Sequence, residues 1–302
     1  MKKLIFLSVT FCFVTILLSQ PQIRIYHQSD FNKGYRFLAD NNSFLDRTVE
    51  FTFTELVGYK CRKGEKFRVI IPARVIEYEI CNIEHIVAEE HRFRYSHKLY
   101  NGLNVVWPDT TFTYLIPAVE GHEVSSFHVS YFGKIIGKDK PDYYAVRFKY
   151  NKGDTICATR AGIVYEIFDS AERRTKGEYY NEKTHNYINI EQPDGTLAHY
   201  SVASPIYLLV TIGDKIIPGQ PLAVFSAEDF NYPLVYRVTH LNLNNPPDEE
   251  GSYHSSVHTN FYTQQNPSAT LGDSVSYVAI HPMEIVTKEL SKKEIKKLGL
   301  KK

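Results

Sequence analysis

The chain has 302 residues and a mass of 34.9 kDa, which is enough for one large domain or two ordinary domains with a buried core. Hydrophobic residues make up 43% and charged residues 23%, so the composition excludes a fully disordered chain and a multi-span membrane protein. The 22 Tyr and 18 Phe, set against two Met, favour a β-rich fold because aromatic side chains pack well on pleated sheets.

The net charge of +1 hides an uneven distribution of charged residues. Seven Lys fall between positions 288 and 302 and two more lie at Lys2 and Lys3, which leaves 26 Lys and Arg against 32 Asp and Glu in the rest of the chain. A nucleic-acid-binding protein carries a basic surface on its folded part. The sequence therefore predicts no nucleic-acid partner.

Residues 1–19 have the pattern of a signal peptide. Two Lys precede an apolar run over residues 4–18, and the small residue Ser19 follows it. The run is short for a membrane-spanning helix, so we expect cleavage after residue 19, a secreted or periplasmic protein and no stable transmembrane anchor. The alternative is an uncleaved amino-terminal anchor.

The first part of the mature chain alternates apolar and polar residues. Val49, Phe51 and Phe53 are each separated by a polar side chain, and this period of two predicts a strand with one buried face. Similar runs follow, separated by turn residues and without a helical stripe. Residues 20–116 are therefore expected to form a β-sandwich-like domain.

Three cysteines follow the predicted leader. Cys61 and Cys81 are candidates for a disulfide in an exported protein, and Cys157 would then stay unpaired. Scattered cysteines among apolar neighbours are also typical of small buried side chains. The sequence leaves both alternatives open, and no Cys/His spacing predicts a structural zinc site.

A second series of predicted strands runs from Tyr144 to Leu241. We assign residues 117–245 to a second β-domain and residues 246–302 to a loop, final strands and a basic C-terminal helix. Ser291 and Glu294 have the spacing of a capping box, so the helix is expected to begin at Ser291. The predicted fold is all-β with a short C-terminal helix.

Five segments of the second domain carry a family resemblance. They are YAVRFK (Tyr144–Lys149), KGDTICATRAGIV (Lys152–Val164), NYINI (Asn186–Ile190), DGTLA (Asp194–Ala198) and IGDKIIPGQPLA (Ile212–Ala223). Over about Tyr114 to Leu241 their order resembles the strands and turns of LytM/lysostaphin-type zinc metallopeptidases, the duplicated hybrid motif family. The resemblance implies a LytM-like antiparallel sheet or barrel in which two His and one Asp hold Zn²⁺ for peptidoglycan hydrolysis.

The positions that the resemblance assigns to the metal site carry other residues. The family's Asp falls on Arg147, its partner His on Lys138 or Tyr143, the first strand His on Val202, and the second His of the H-x-H strand on Val235 or Arg237. None of these side chains is a zinc ligand, and an arginine places a permanent positive charge where the dication would sit. The resemblance therefore implies a common groove around these positions, without metal, cofactor or catalytic residues.

Displaced histidines offer an alternative. His199 lies three residues before Val202, and His240 lies three residues after Arg237. Side chains alternate along a strand, so a shift by three residues turns His199 to the face opposite Val202. If His199 and His240 rebuild the site, the chain is an active zinc metalloendopeptidase, a peptidoglycan hydrolase with a rearranged ligand set.

The sequence favours an exported cell-envelope protein with a catalytically degenerate metallopeptidase-like domain. Inactive members of this fold act as scaffolds and activators of wall amidases, so the resemblance implies a peptidoglycan fragment or a wall-hydrolase partner. Arg147 would meet a ligand carboxylate with two parallel hydrogen bonds. Tyr143 and Tyr236 are candidate binding residues that stack on a ligand, with core packing as the alternative.

Overall fold

The computed structural model of the chain describes residues 22–30, 34–105, 107–131, 140, 142–169, 185–226 and 233–300. The predicted signal peptide and Lys138 lie outside the described residues. Strands dominate the described part, and its helices are two short ones near the C-terminal end, which confirms the predicted all-β fold. None of the helices within these ranges is long and apolar enough to cross a membrane.

The first seven strands build two antiparallel sheets with the orders β1-β2-β6-β4 and β5-β3-β7. The strands are β1 (Ile23–Asp30), β2 (Gly34–Asn41), β3 (Arg47–Val57), β4 (Tyr59–Cys61), β5 (Lys66–Ile71), β6 (Val75–His85) and β7 (Arg92–Asn101). We call this part, residues 22–105, the first region.

The alternation predicted for β3 is present. Val49, Phe51 and Phe53 are buried, and the rings of Phe51 and Phe53 lie 5.3 Å and 5.2 Å from the ring of Phe37 on β2. Both sheets therefore turn their apolar faces to one core, as in a sandwich. Cys61 and Cys81 are buried in this core and carry free thiols.

The second region, residues 107–300, contains the remaining strands. They are β8 (Thr113–Tyr114), β9 (Glu123–His128), β10 (Val146–Lys149), β11 (Thr155–Cys157), β12 (Gly162–Phe168), β13 (Asn186–Glu191), β14 (Leu197–Val202), β15 (Ile206–Leu208), β16 (Lys215–Ile216), β17 (Pro221–Phe225), β18 (Pro233–Leu241), β19 (His254–Ser256), β20 (Asn260–Phe261) and β21 (Val275–Val278). A long antiparallel sheet has the order β16-β12-β13-β14-β18-β10-β9-β21, with β19 paired to the end of β18.

One face of the long sheet is covered by the main core. Val146, Tyr200 and Tyr236 project into it together with residues of the small sheet β11-β17-β15. The other face, reached by the alternate residues of the same strands, stays open over part of its length. This division of the strands into a core side and an open side positions the site described below.

The main core contains hydrogen-bonded polar groups. Thr159 Oγ1 lies 2.8 Å from the hydroxyl oxygens of both Tyr200 and Tyr236, and the Thr159 backbone N–H donates to Tyr200 at 2.9 Å. Burial raises the pKa of both phenols. The two tyrosines are therefore core residues whose polar ends are satisfied internally.

A buried arginine attaches the C-terminal segment to this core. Arg160 is 2% exposed, and its guanidinium pairs with Asp194 at 2.9 Å and with Glu289 at 2.6 Å. The guanidinium carbon also lies 3.8 Å from the centre of the Phe112 ring. Two carboxylates and an aromatic face replace the water that Arg160 loses on burial.

The two helices are α1 (Met283–Val286) and α2 (Lys292–Lys297). The predicted capping box is present, because the Ser291 side chain accepts from the Glu294 N–H while Glu294 Oε2 accepts from the Ser291 N–H at 2.8 Å. Contact with Lys215 and with Ser291 lowers the pKa of Glu294 to about 2. The predicted start of the C-terminal helix is confirmed.

The segment between the two regions is fixed to the end of β18. The Val105 N–H donates to the Leu241 carbonyl at 2.8 Å, His240 Nδ1 donates to the Val105 carbonyl at 2.6 Å, and Asn104 Oδ1 accepts from the Leu243 N–H at 2.8 Å. Phe112 and Tyr114 pack in the core of the second region, before the predicted domain boundary at residues 116–117, which stays a prediction.

Candidate functional site: a polar cleft on the open face of the long sheet

Four polar side chains form a row across the open face. In the strand register Glu166 is paired with Asn189, Asn189 with His199, and His199 with Arg237. Neighbouring strands lie about 4.8 Å apart, so the row spans about 14 Å from β12 to β18. Long-range pairing of four strands, and no local motif, brings these residues together.

The turn between β13 and β14 sets the register of the central pair. The Gly195 N–H donates to the Gln192 carbonyl at 2.9 Å, and the Gln192 N–H donates to the Thr196 carbonyl at 2.8 Å. Gly195 has a positive φ of 80°, and an added Cβ would lie 2.7 Å from a methyl carbon of Leu103. Glycine is therefore required at this turn, which places Asn189 opposite His199.

The row forms the floor of a cleft of about 540 Å³. Its polar lining is mixed with aromatic rings, so the cleft offers both hydrogen bonds and flat apolar surface. The lining residues are Asn101, Lys140, Tyr165, Glu166, Phe168, Tyr187, Asn189, Leu197, His199, Arg237, Thr239, Ser252, His254 and Ser256.

His199 is held by a chain of hydrogen bonds. Its Nδ1 contacts Asn189 Oδ1, whose Nδ2 donates to Glu166 Oε2 at 2.8 Å, and the Tyr187 hydroxyl donates to the other Glu166 oxygen at 3.1 Å. An amide oxygen accepts only, so His199 Nδ1 carries the proton and Nε2 is left as an acceptor. Burial and then the charge of Arg237 lower the pKa of His199 to about 3, which keeps the ring neutral.

Arg237 is the half-buried cation at the other end of the row. Within the described part of the chain it makes no hydrogen bond and no ion pair. Its charge contributes to lowering the pKa of His254, mainly a burial effect, and the His254 Nε2 donates to the Asn101 carbonyl at 3.0 Å. Lys140 is the second cation of the cleft lining, and its ammonium group is paired with Asp248 at 2.6 Å.

Arg147 lies beside the cleft on β10 and is exposed. It is paired in register with Val235, so Arg147, Val235 and Arg237 share the open face. The Arg147 guanidinium carbon lies 5.0 Å from the centre of the Phe127 ring. The structure thus brings three of the predicted positions to one face, with Arg237 inside the cleft and Arg147 outside it.

Val202 and Tyr236 correct the predicted groove. Both are 1% exposed and project into the main core on the opposite face of the sheet, so neither lines the cleft nor meets a ligand there. Counting from the Asp194-Gly195-Thr196 turn selected Val202, which lies three residues from His199, and an odd spacing along a strand places the two side chains on opposite faces. His199, on the open side together with Leu197, is the polar β14 residue of the cleft lining.

Tyr143 is half-buried, with its ring centre 5.3 Å from that of Tyr131, and it is not among the cleft lining. His240 is buried on the core side of β18, with Nδ1 bonded to the connecting segment. The alternative pair His199 and His240 is therefore not brought together. Within the described residues no group of three or more His, Cys, Asp and Glu side chains could hold a metal ion.

Two members of the row, Glu166 and Asn189, were not among the predicted site residues. A β-bulge between Val164 and Glu166 inserts Tyr165 into β12, and this extra residue decides that Glu166 faces Asn189. The available signal was the alternation of β13 around buried Ile188 and Ile190, which places Asn189 on the side opposite those two residues.

No protein-family model matches the chain, and no curated protein matches it. Four solved chains match it by structure. One of them, from Pseudomonas aeruginosa, is described as a "putative peptidase M23"; it is 12% identical, the match covers 63% of this chain and 82% of that chain, and the TM-score is 0.27. A likeness at this TM-score supports no conclusion about function, so the chemistry of the cleft rests on its own residues.

Proposed function

We propose that this chain is an exported cell-envelope protein that binds a peptidoglycan fragment or a wall-hydrolase partner through the cleft, with a LytM-like region that has lost catalysis. The observation that carries the proposal is the pairing of His199 with Arg237 across β14 and β18. A metallopeptidase needs ligands that converge on one ion. Here the residue opposite the neutral histidine is a cation.

The charge of Arg237 opposes a metal ion at this place. Side chains directly opposite on neighbouring strands have Cβ atoms about 4.5–5.5 Å apart, so an ion held by His199 Nε2 would lie close to the guanidinium. Arginine side chains in proteins are permanently charged. The repulsion supports binding without hydrolysis as the role of the cleft.

The composition of the lining supports a peptide or sugar ligand. The cleft offers hydrogen bonds through the hydroxyls of Thr239 and Ser256 and through the His199 Nε2 acceptor. It also offers the ring of Tyr187 as a stacking surface, so it suits a ligand of mixed polarity. Peptidoglycan consists of such peptides and sugars. The sequence resemblance to LytM/lysostaphin-type domains favours it over other ligands of that chemistry.

An active zinc enzyme remains the second candidate because two imidazoles, His199 and His254, share the cleft. Three measurements distinguish the binding protein from the zinc enzyme. They are elemental mass spectrometry of the purified protein, sedimentation with insoluble peptidoglycan, and a turnover assay with and without chelator. We expect background zinc, co-sedimentation and no turnover, with an active metallopeptidase as positive control. Stoichiometric zinc with chelator-sensitive release of fragments would establish the enzyme instead.

A hydrolase partner requires its own measurement. If peptidoglycan does not sediment the protein, the turnover rate of purified wall amidases with and without the chain tests that branch. A change in the rate supports the partner role. Neither sedimentation nor a change in rate would end the proposal.

A further inference from the structure

The feature that the fold leaves unexplained is the guanidinium of Arg237. Two other enclosed cations near the long sheet, Arg160 and Lys140, have carboxylate partners at 2.6–2.9 Å, and the half-buried Arg47 donates to the side-chain oxygens of Asn101 and Gln22. Arg237 has none among the described residues, although half-burial removes part of its hydration. A charge in this position costs stability unless a partner of opposite sign completes it, and the cleft is open to such a partner.

The carboxylate of the row cannot serve as that partner. Glu166 stands three strands away, about 14 Å across the sheet. Both of its oxygens are engaged, one by the Asn189 amide and one by the Tyr187 hydroxyl. Between Glu166 and Arg237 stands His199, which burial keeps uncharged. The positive charge at the β18 end of the row therefore faces the cleft without compensation.

We propose that Arg237 binds the free carboxylate of a short peptide whose chain runs along the row toward Asn189. The ligand class rests on the proposed function, whereas the carboxylate rests on the geometry of the cleft alone. A guanidinium fork meets a carboxylate with two parallel N–H···O bonds. Thr239 and Ser256, paired across β18 and β19 beside Arg237, provide hydroxyl donors at the same end.

The charge balance selects a monoanion over a phosphate or a polyanion. Arg237 is the cation of the lining that lacks a partner in the described ranges, because Lys140 is already neutralised by Asp248. Glu166 adds a negative charge at the far end and repels a multiply charged ligand. The His199 Nε2 acceptor and the hydroxyls of Thr239 and Ser256 suit the N–H and C=O groups of a peptide backbone.

Two peptides that share one sequence and differ only in a free or amidated C-terminus measure how much the carboxylate contributes to binding. Calorimetry uses Ala-Ala-Ala with a free C-terminus, the same tripeptide with a C-terminal amide, and soluble peptidoglycan fragments. Hydrogen bonds to a charged group set the expected loss on amidation at about tenfold to a hundredfold in affinity. This comparison uses the unmodified protein, so it stays decisive even if a variant fails to fold.

Variants then locate the effect. We expect Arg237→Gln to weaken binding of the free acid by the same factor as amidation and to leave binding of the amide unchanged. Arg237→Lys keeps the charge and loses the fork, so it should recover only part of the affinity. Arg147→Ala is the matched control, because it removes a guanidinium from the same face outside the cleft. Thermal melting confirms that each variant is folded.

The outcomes separate this inference from the proposed function. Binding of wall fragments that is insensitive to Arg237→Gln overturns the inference and leaves the proposed function standing. Arg237-dependent binding of the free tripeptide without binding of wall fragments supports the inference and removes peptidoglycan as the ligand. Equal affinity for the acid and the amide, or no binding of either, overturns the carboxylate site.

Discussion

Both regions of this chain bury a core against β-sheets, but different kinds of side chain stabilise the two cores. In the first region the core is a continuous cluster of rings such as Phe37, Phe51 and Phe53, whose centres are 5.2–5.3 Å apart. In the second region the core includes the hydroxyl of Thr159 and the guanidinium of Arg160, each with internal partners. The stability of the first core depends on the volume that its aromatic rings fill, whereas the second core depends also on the pairing of its buried polar and charged groups.

This difference bears on where a site can form. The sandwich of the first region uses the inner faces of both sheets for packing. The long sheet of the second region has one packed face and one open face, and the polar partners inside its core hold the strands in register. Fixed register is what keeps Asn189 opposite His199 and His199 opposite Arg237.

The first prediction tests volume in the first region. Phe37→Ala removes a fully buried ring and leaves a cavity, so we expect the free energy of unfolding to fall by about 4 kcal/mol. Urea unfolding of the purified protein measures it, with Ile76→Ala, an exposed apolar residue of the same region, as control. A loss no larger than that of the control would mean that the aromatic cluster is not the stabilising core.

The second prediction tests pairing in the second region. Arg160→Met fills most of the same volume but leaves Asp194 and Glu289 without their cation, so we expect a loss of about 3 kcal/mol. Arg62→Met, which breaks the exposed pair with Glu84, should cost less than about 1 kcal/mol. If both changes cost the same, burial adds nothing to the importance of the Arg160 pairs.

The third prediction concerns the contact between the regions. Glu191 accepts the Asp46 N–H at 3.2 Å. Burial raises the pKa of Glu191 from 4.5 to about 7, the Asp46 N–H and the charge of Arg47 oppose the shift, and the charge of Asp46 adds to it. The native state therefore favours the protonated acid. The contribution of Glu191 to the free energy of unfolding is fully present below about pH 4.5 and is lost as the pH rises to about 7.

Glu191→Gln should remove this dependence and raise the free energy of unfolding at pH 8 by about 2 kcal/mol, with little change at pH 4.5. Melting temperatures between pH 4.5 and pH 8 measure the slope. Glu249→Gln, an exposed change of the same type, serves as the reference. A stability that rises with pH in the unmodified protein but not in Glu191→Gln would reverse the sign assigned to Glu191.

The smallest effect is expected at the polar network of the second core. Tyr236→Phe keeps the ring and removes the oxygen that accepts from Thr159 Oγ1, so we expect a loss of about 1 kcal/mol. Tyr207→Phe, on an exposed ring, should be neutral. An equal effect of the two substitutions in urea unfolding would show that the buried hydroxyl does not contribute to stability.

Local rules predicted much of the fold. The alternation of Val49, Phe51 and Phe53 located a strand and its buried face, and the spacing of Ser291 and Glu294 located a helix start. Both patterns act within a few residues, where side-chain direction follows directly from backbone geometry. The all-β class followed from many such patterns, none of which required knowledge of which strands are neighbours.

The site was harder because its residues meet across strands. Counting from a turn to Val202 missed the open face, since an odd error moves every side chain of a strand to the other side of the sheet. The position of Glu166 depends on the bulge at Tyr165, which no repeat in the sequence announces. Arg237 was identified as a position but not as the cation inside the cleft.

The hydrogen bonds that hold Asn104 and Val105 to the end of β18 have a mechanical consequence. A connecting segment attached only at its ends is a tether, and the regions it joins move independently. This segment is instead fastened beside Leu241, four residues along the same strand from Arg237. A displacement of the first region therefore acts first on the end of β18, the strand that also carries Arg237.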